Sequence, residues 1–483
     1  MSLLQRDGSS SVPGAVLGLP RDGGDDGGPG GRGGGRACVI GAGSSGIVAI
    51  KALRDRGIPF DCFEKSDQIG GNWVFHNRNG MSACYRDLYI NVSRERMQYS
   101  DFPMPESYPD FTHHTQIKEY FDTYVDHFHL RELITFQTAV QHASLAGDGV
   151  WEILLDTGET RTYDWLLVAN GHHWDPRWPE PAFPGSDGFT GVQMHAHSYE
   201  DNTIFTDRSV VVLGIGNSAV DIAVESSYVA RHTYLAARRG AWIIPKYLFG
   251  KPLDTLPNDP RIPFRVRQRA LHGIVRSYIG SPERYGLPKP DHRVGEAHPT
   301  VSGRILDRIQ HGAVIPKPNI DRLNGSTVHF TDGSAVDADI VVYCTGYKIT
   351  FPFFDKGLLS APDNHIELFR RVFHPDIPNL FFIGLLQPLG AIMPLAEAQG
   401  EWVGDYIRGD YALPERPALL ADIDADQRAM RKRYVASKRH TIQVDFDDYL
   451  HALAKERRAG AARARARPPH LPHPQPHADV LSS

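Results

Sequence analysis

Two short strings hold the residues best suited to chemistry: Gly41-Ala42-Gly43-Ser44-Ser45-Gly46 and Gly214-Ile215-Gly216-Asn217-Ser218-Ala219. Both fit G-x-G-x-x-G/A. In that pattern the first glycine permits a tight turn, the second lets a pyrophosphate approach the backbone, and the third lets a helix pack close to its strand. The phosphates then meet N–H groups left unpaired at a helix N-terminus. About 20 residues beyond each turn the two strings diverge. Glu64 follows the first, and a carboxylate there accepts hydrogen bonds from ribose hydroxyls and repels a 2′-phosphate. Arg238 and Arg239 follow the second. A guanidinium at that place pairs with a 2′-phosphate and stacks on adenine. The first site thus suits the adenosine half of FAD or NAD, and the second suits NADP. The plainer alternatives are a solvated strand-end acid and a basic loop without function.

Each turn needs a strand before it and a helix after it. Ala37–Ile40 is a short apolar run. From Ser45 to about Arg56, Ile47, Ile50 and Leu53 share one helical face, and Phe60–Phe63 reads as the next strand. The same order recurs at Ser209–Leu213, Ser218–Tyr228 and His232–Ala236. Two such β-α-β units predict an α/β protein with two Rossmann-like dinucleotide-binding domains. Residues 36–180 and 301–455 are expected to form the first domain, with 181–300 inserted as the second. Residues 1–35, rich in glycine, and 456–483, rich in Arg, Pro and His, are expected to be disordered, because neither can bury enough surface to offset its ordering entropy. Residues 249–299, dense in Pro, Arg and aromatic side chains, look like an insertion in the second domain.

Composition narrows the function classes. The 483 residues carry a net charge of −5, which points to neither nucleic acid nor an anionic membrane as an obligate partner. No apolar run reaches the roughly 18 residues that span a bilayer, and the N-terminus does not resemble a secretory signal. The four cysteines, Cys38, Cys62, Cys84 and Cys344, form no C-x-x-C. That disfavours a zinc ribbon and a dithiol redox centre, and with it the disulfide reductases, which share a two-dinucleotide architecture. A reducing, cytoplasmic setting and no metal are expected. The neighbours His113/His114 and His172/His173 lack the spacing of ligands on one helix face.

Between the two turns, Phe189 to Tyr199 fits F-x-G-x-x-x-H-x-x-x-Y, with His195 inside it. That string resembles the signature of flavin-containing monooxygenases, and other segments agree in number and order. Gly70-Gly71-Asn72-Trp73 is similar to the family's flavin-side loop. Leu88-Tyr89-Ile90-Asn91 with Ser100-Asp101-Phe102-Pro103 is similar to the stretch bearing its active-site Asn. Asn170-Gly171-His172-His173 and Cys344-Thr345-Gly346-Tyr347 resemble its two linkers. Phe382-Ile383-Gly384 with Gln387 resembles its C-terminal flavin loop. The resemblance covers about residues 36–453.

The resemblance implies an FAD- and NADPH-dependent monooxygenase that oxygenates amines or sulfides through a flavin hydroperoxide, including N,N-dimethylaniline monooxygenase activity. It places FAD at Gly41, Gly43, Ser45, Gly46, Glu64, Gly71, Trp73, Gly384 and Gln387. It places NADPH at Gly214, Gly216, Asn217, Ser218, Arg238 and Arg239. Asn91 is implied as the catalytic residue between flavin and nicotinamide; an amide donates and accepts hydrogen bonds without titrating. A contact from Tyr89 to NADP is implied by position alone. His195 and Tyr199 are expected to position the linker or touch NADP rather than do chemistry. Baeyer–Villiger relatives usually carry Trp where Tyr199 stands, so oxygenation of ketones is the alternative activity. A non-catalytic FAD/NADP-binding redox sensor is the alternative of another class. The polar C-terminus resembles a soluble bacterial-type member, and the family suggests a homodimer.

Overall fold

The strand before each glycine turn lies at the centre of its own five-stranded parallel sheet. The computed structural model describes residues 35–256, 258–434 and 441–466, all within one unit, Gly33–Ser483. In the first sheet the strand order is Leu380–Phe382, Trp165–Val168, Ala37–Ile40, Phe60–Phe63, Ile134–Thr135. In the second it is Ile315–Lys317, His232–Ala236, Ser209–Leu213, Ile340–Tyr343, Val192–His195. Parallel strands covered on both faces read as continuous apolar runs. Accordingly Val210, Val211 and Val212 are fully buried, as are Ala37, Cys38 and Val39.

The two lobes repeat each other beyond the turn. In each, the chain returns to the sheet through a three-stranded antiparallel meander, over residues 140–163 in the first lobe and 320–337 in the second. This corrects the expected boundary at residue 300. Ile315–Lys317 and Ile340–Tyr343 pair with the second sheet, so that lobe runs on to Tyr343. Among the described residues the first sheet takes only Leu380–Phe382 from the later chain.

Two linkers join the lobes and bond to each other. Asp175–Pro176 pairs antiparallel with Tyr347–Lys348, and Arg177 N donates to Gly346 O at 2.9 Å. The first-turn helix, Ser44–Asp55, buries Ile47, Ile50 and Leu53 in the core shared with the helix Met393–Ile407. A buried aliphatic side chain of this size contributes about 1.5–3 kcal/mol.

The C-terminal part of the chain differs from expectation. Residues 456–466 close a helix, Phe446–Ala466. Arg457 pairs with Glu401 at 2.8 Å and with Asp405 at 2.6 Å, and Arg463 pairs with Glu456. The remainder of the expected tails, 1–34 and 467–483, lies outside the described residues.

Candidate active site

At the first turn, Gly41 has φ +98°, and its N–H donates to Phe63 O at 2.8 Å. A Cβ on Gly46 would overlap Gly41 O, so the helix can start this close to the strand only with glycine there. Gly43 is the N-cap and no side chain caps the helix, so the leading N–H groups of Ser44, Ser45 and Gly46 are free for an anion. Two distant loops close on this turn. Gly70 N donates to Ala42 O at 3.1 Å, and a Cβ on Gly71 would stand 3.3 Å from Gly43 Cα. Gly384 abuts Ser45 so closely that a Cβ would collide with Ser45 Oγ. The Gly384 N–H is held by Gln399 Oε1 at 2.8 Å. Trp73 is half-buried against the core below the turn. Gln387 opens a short strand whose N–H donates to Ile442 O at 2.9 Å, and no bond links it to the turn among the described residues.

Glu64 is tied to the turn itself. Its Oε2 accepts from Ala42 N at 2.6 Å and its Oε1 from Ser66 N at 2.8 Å. Burial pushes its carboxyl up, and those two N–H bonds oppose the shift. The strand-end acid therefore satisfies donors of the glycine turn and keeps lone pairs for a further partner.

The second turn repeats the design. Gly214 N donates to Ala236 O at 2.8 Å, Gly216 is the N-cap of the helix Asn217–Ser226, and no side chain caps that helix. Ser218 is exposed at its start. Asn217 is engaged structurally, its Oδ1 accepting from Val301 N at 2.8 Å. The two arginines differ. Arg239 is paired with Asp291 at 2.6 Å, whereas Arg238 is exposed and makes no ion pair among the described residues.

Asn91 is half-buried in the loop after Tyr89. That loop is backed by Ile90 N donating to Thr112 O at 3.0 Å, and the Tyr89 ring lies 4.8 Å from the His113 ring. His113 caps the helix His114–His127, accepting from Thr115 N. No bond joins Asn91 to either glycine turn among the described residues.

Within the signature string the structure separates two roles. His195 is buried, accepts from His197 N at 3.0 Å, and packs between Trp178 and Tyr347 at the two linkers. Burial pulls its imidazole down to about 4, so it is neutral near pH 7. Tyr199 donates to Glu225 on the second-turn helix. One turn earlier on that helix, Asp221 accepts from Tyr85 at 2.7 Å. Asp221, Glu225 and Tyr85 are not among the site residues expected from the sequence. The one sequence signal was a pair of acids at i, i+4 on an otherwise apolar helix.

Two uncapped helix N-termini, each at the centre of its own parallel sheet and followed by residues of opposite charge, define a protein that binds two dinucleotides. The sequence model of the flavin-binding monooxygenase-like family matches residues 34–462. The chain is 37% identical over 439 residues to flavin-containing monooxygenase 5 of Mus musculus, covering 87% of this chain and 82% of the mouse protein. It is 33% identical over 441 residues to the mouse dimethylaniline monooxygenase (N-oxide-forming) 2, with the same two coverages. The solved structure of S-allyl-L-cysteine S-oxygenase from Allium sativum superposes with a TM-score of 0.66 at 24% identity, covering 93% of this chain and 97% of that one. The chain belongs to the flavin-binding monooxygenase-like family and is a flavin-dependent monooxygenase. Among the described residues no helix is long and apolar enough to cross a membrane.

Proposed function

We propose that the protein binds FAD at the Gly41 turn and NADPH at the Gly214 turn, and oxygenates soft nucleophiles at nitrogen or sulfur. The observation that carries the order of the cofactors is the contrast between two otherwise repeated turns. A buried carboxylate, Glu64, follows the first, and an exposed guanidinium, Arg238, with no ion pair among the described residues, follows the second. When bound, the two cofactors supply hydride transfer and activation of dioxygen; the protein supplies orientation and exclusion of water. The free N–H groups of Ser44, Ser45 and Gly46 would hold a pyrophosphate, next to Gly71 and Gly384, which pack against the turn. Gly216, Asn217 and Ser218 open the equivalent site for NADPH, and Arg238 takes the 2′-phosphate. Asn91 offers hydrogen bonds at the reacting centre without a titrating proton, and Tyr89 flanks it. N- and S-oxidation is supported by the names of the relatives, one N-oxide-forming and one an S-oxygenase. Four cysteines without a disulfide support a cytoplasmic setting.

The test is to purify the protein, record its flavin spectrum, and follow NADPH oxidation with mass-resolved products across tertiary amines, sulfides and cyclic ketones. N-oxides or sulfoxides are expected. Lactones alone would replace this activity with the Baeyer–Villiger alternative. Bound flavin without substrate-stimulated NADPH oxidation would mean a sensor.

A further inference from the structure

The loop that carries Asn91 is held from both sides by one hairpin of the other lobe. Lys246 Nζ donates to Ile90 O at 3.0 Å, immediately before Asn91. Asp254 Oδ2 accepts from Ser93 N at 2.7 Å and from Ser93 Oγ at 2.9 Å, two residues after it. Lys246 and Asp254 stand at the two feet of the hairpin Tyr247–Leu248/Lys251–Pro252, which is closed by Leu253 N donating to Lys246 O at 2.9 Å. Their separation is therefore set by a β-ladder rather than by flexible chain. Tyr247 adds a third attachment, donating to Asp110 at 2.8 Å, and Asp110 O in turn accepts from Arg94 N.

These groups are costly ones to use for packing. Lys246 is half-buried, with its ammonium 4.7 Å from the Phe111 ring. Burial pulls its pKa down, and the nearby Asp221 carboxylate opposes the shift. Asp254 Oδ1 is buried and has no hydrogen-bond partner among the described residues. Apolar side chains would hold two lobes together at lower cost. What these partly buried polar bonds add is geometry, because a directional donor–acceptor pair is satisfied within a narrow range of arrangements.

We propose that Lys246 and Asp254 are positioning residues that clamp the backbone of residues 90–93 from the NADPH lobe and so fix the Asn91 side chain. The inference rests on the role of Asn91 in the proposed function. It makes the coupling of NADPH oxidation to oxygenation depend on the seating of the second lobe against the first.

The experiment compares the FAD-loaded full chain with Lys246→Met, Asp254→Ala, the milder Ser93→Ala, the conservative Lys246→Arg and Asp254→Asn, and Asn91→Leu. Two readouts are taken: amide hydrogen exchange over residues 88–97, and the peroxide formed per NADPH oxidised with methyl p-tolyl sulfide as substrate. In Lys246→Met and Asp254→Ala, exchange should rise about tenfold, the change expected when local opening becomes about 1.4 kcal/mol easier. The peroxide fraction should rise several-fold, flavin content should stay level, and both conservative variants should restore both readouts. Ser93→Ala should move the same way by less, and it serves if a larger change prevents folding. Unchanged exchange, or unchanged coupling where Asn91→Leu uncouples, overturns the clamp. An Asn91→Leu enzyme that remains coupled overturns the role of Asn91 instead, and the exchange data then judge the backbone clamp by itself.

Discussion

The Tyr199 hydroxyl donates its hydrogen to the Glu225 carboxylate, which fastens the signature string to the helix that begins at the second glycine turn. Burial pushes the Glu225 carboxyl up to about 7. The Tyr199 bond and Arg304 favour its charge, whereas Asp221 and Asp87 oppose it. The folded protein thus keeps this proton to near neutrality, while the unfolded chain releases it near 4.5. Stability attributable to Glu225 falls as pH rises through that window, by on the order of 3 kcal/mol. Glu225→Gln keeps an acceptor for Tyr199 and removes the titration. Urea unfolding should show the variant equal to the parent at pH 5 and more stable at pH 8. Equal stability at both values would mean Glu225 does not titrate between them.

Asn91→Leu should retain bound FAD and oxidise NADPH while losing product. The electrons then leave as hydrogen peroxide, one per NADPH and dioxygen consumed. Leucine matches asparagine in bulk but can neither donate nor accept a hydrogen bond. Peroxide and sulfoxide are measured together with a sulfide substrate, and full oxygenation by the variant removes Asn91 from the mechanism.

Arg238→Ala should raise the KM for NADPH at least about tenfold and leave that for NADH unchanged, since a hydrogen bond to a charged group contributes about 1.5–3 kcal/mol. Arg239→Ala should raise the KM for NADPH by less, because Asp291 already engages that guanidinium. Equal losses for the two coenzymes on changing Arg238 would place recognition of the 2′-phosphate elsewhere.

Strands and turns of the two β-α-β units were legible to within about two residues, because glycine spacing and apolar period are local properties. The limit at residue 300 failed for a non-local reason. Ile340–Tyr343 is four apolar residues, and nothing in them says which of two sheets they join. Glu64 and Arg238 stand out by position, yet that Glu64 bonds Ala42 while Arg238 makes no ion pair among the described residues is a tertiary fact. Lys246 and Asp254 gave no signal, because their partners lie more than a hundred residues earlier. Residues 456–466 read as low complexity from their Ala and Arg content, although both are strong helix formers. Their anchoring partners sit on another helix.

That anchoring can be measured. Asp405 bridges two guanidiniums, with Oδ1 accepting from Arg56 at 2.7 Å and Oδ2 from Arg457 at 2.6 Å. The first joins it to the glycine-turn helix of the first lobe, the second to the C-terminal helix. All three side chains are partly buried, so screening by salt is incomplete. Arg457→Ala should cost about 1–2 kcal/mol in urea unfolding, and Arg56→Ala a similar amount. The double variant should lose more than the sum of the two, because Asp405 is then left without either cation. Additive losses would mean that the two pairs act independently, and no loss from Arg457→Ala would undock the end of the C-terminal helix.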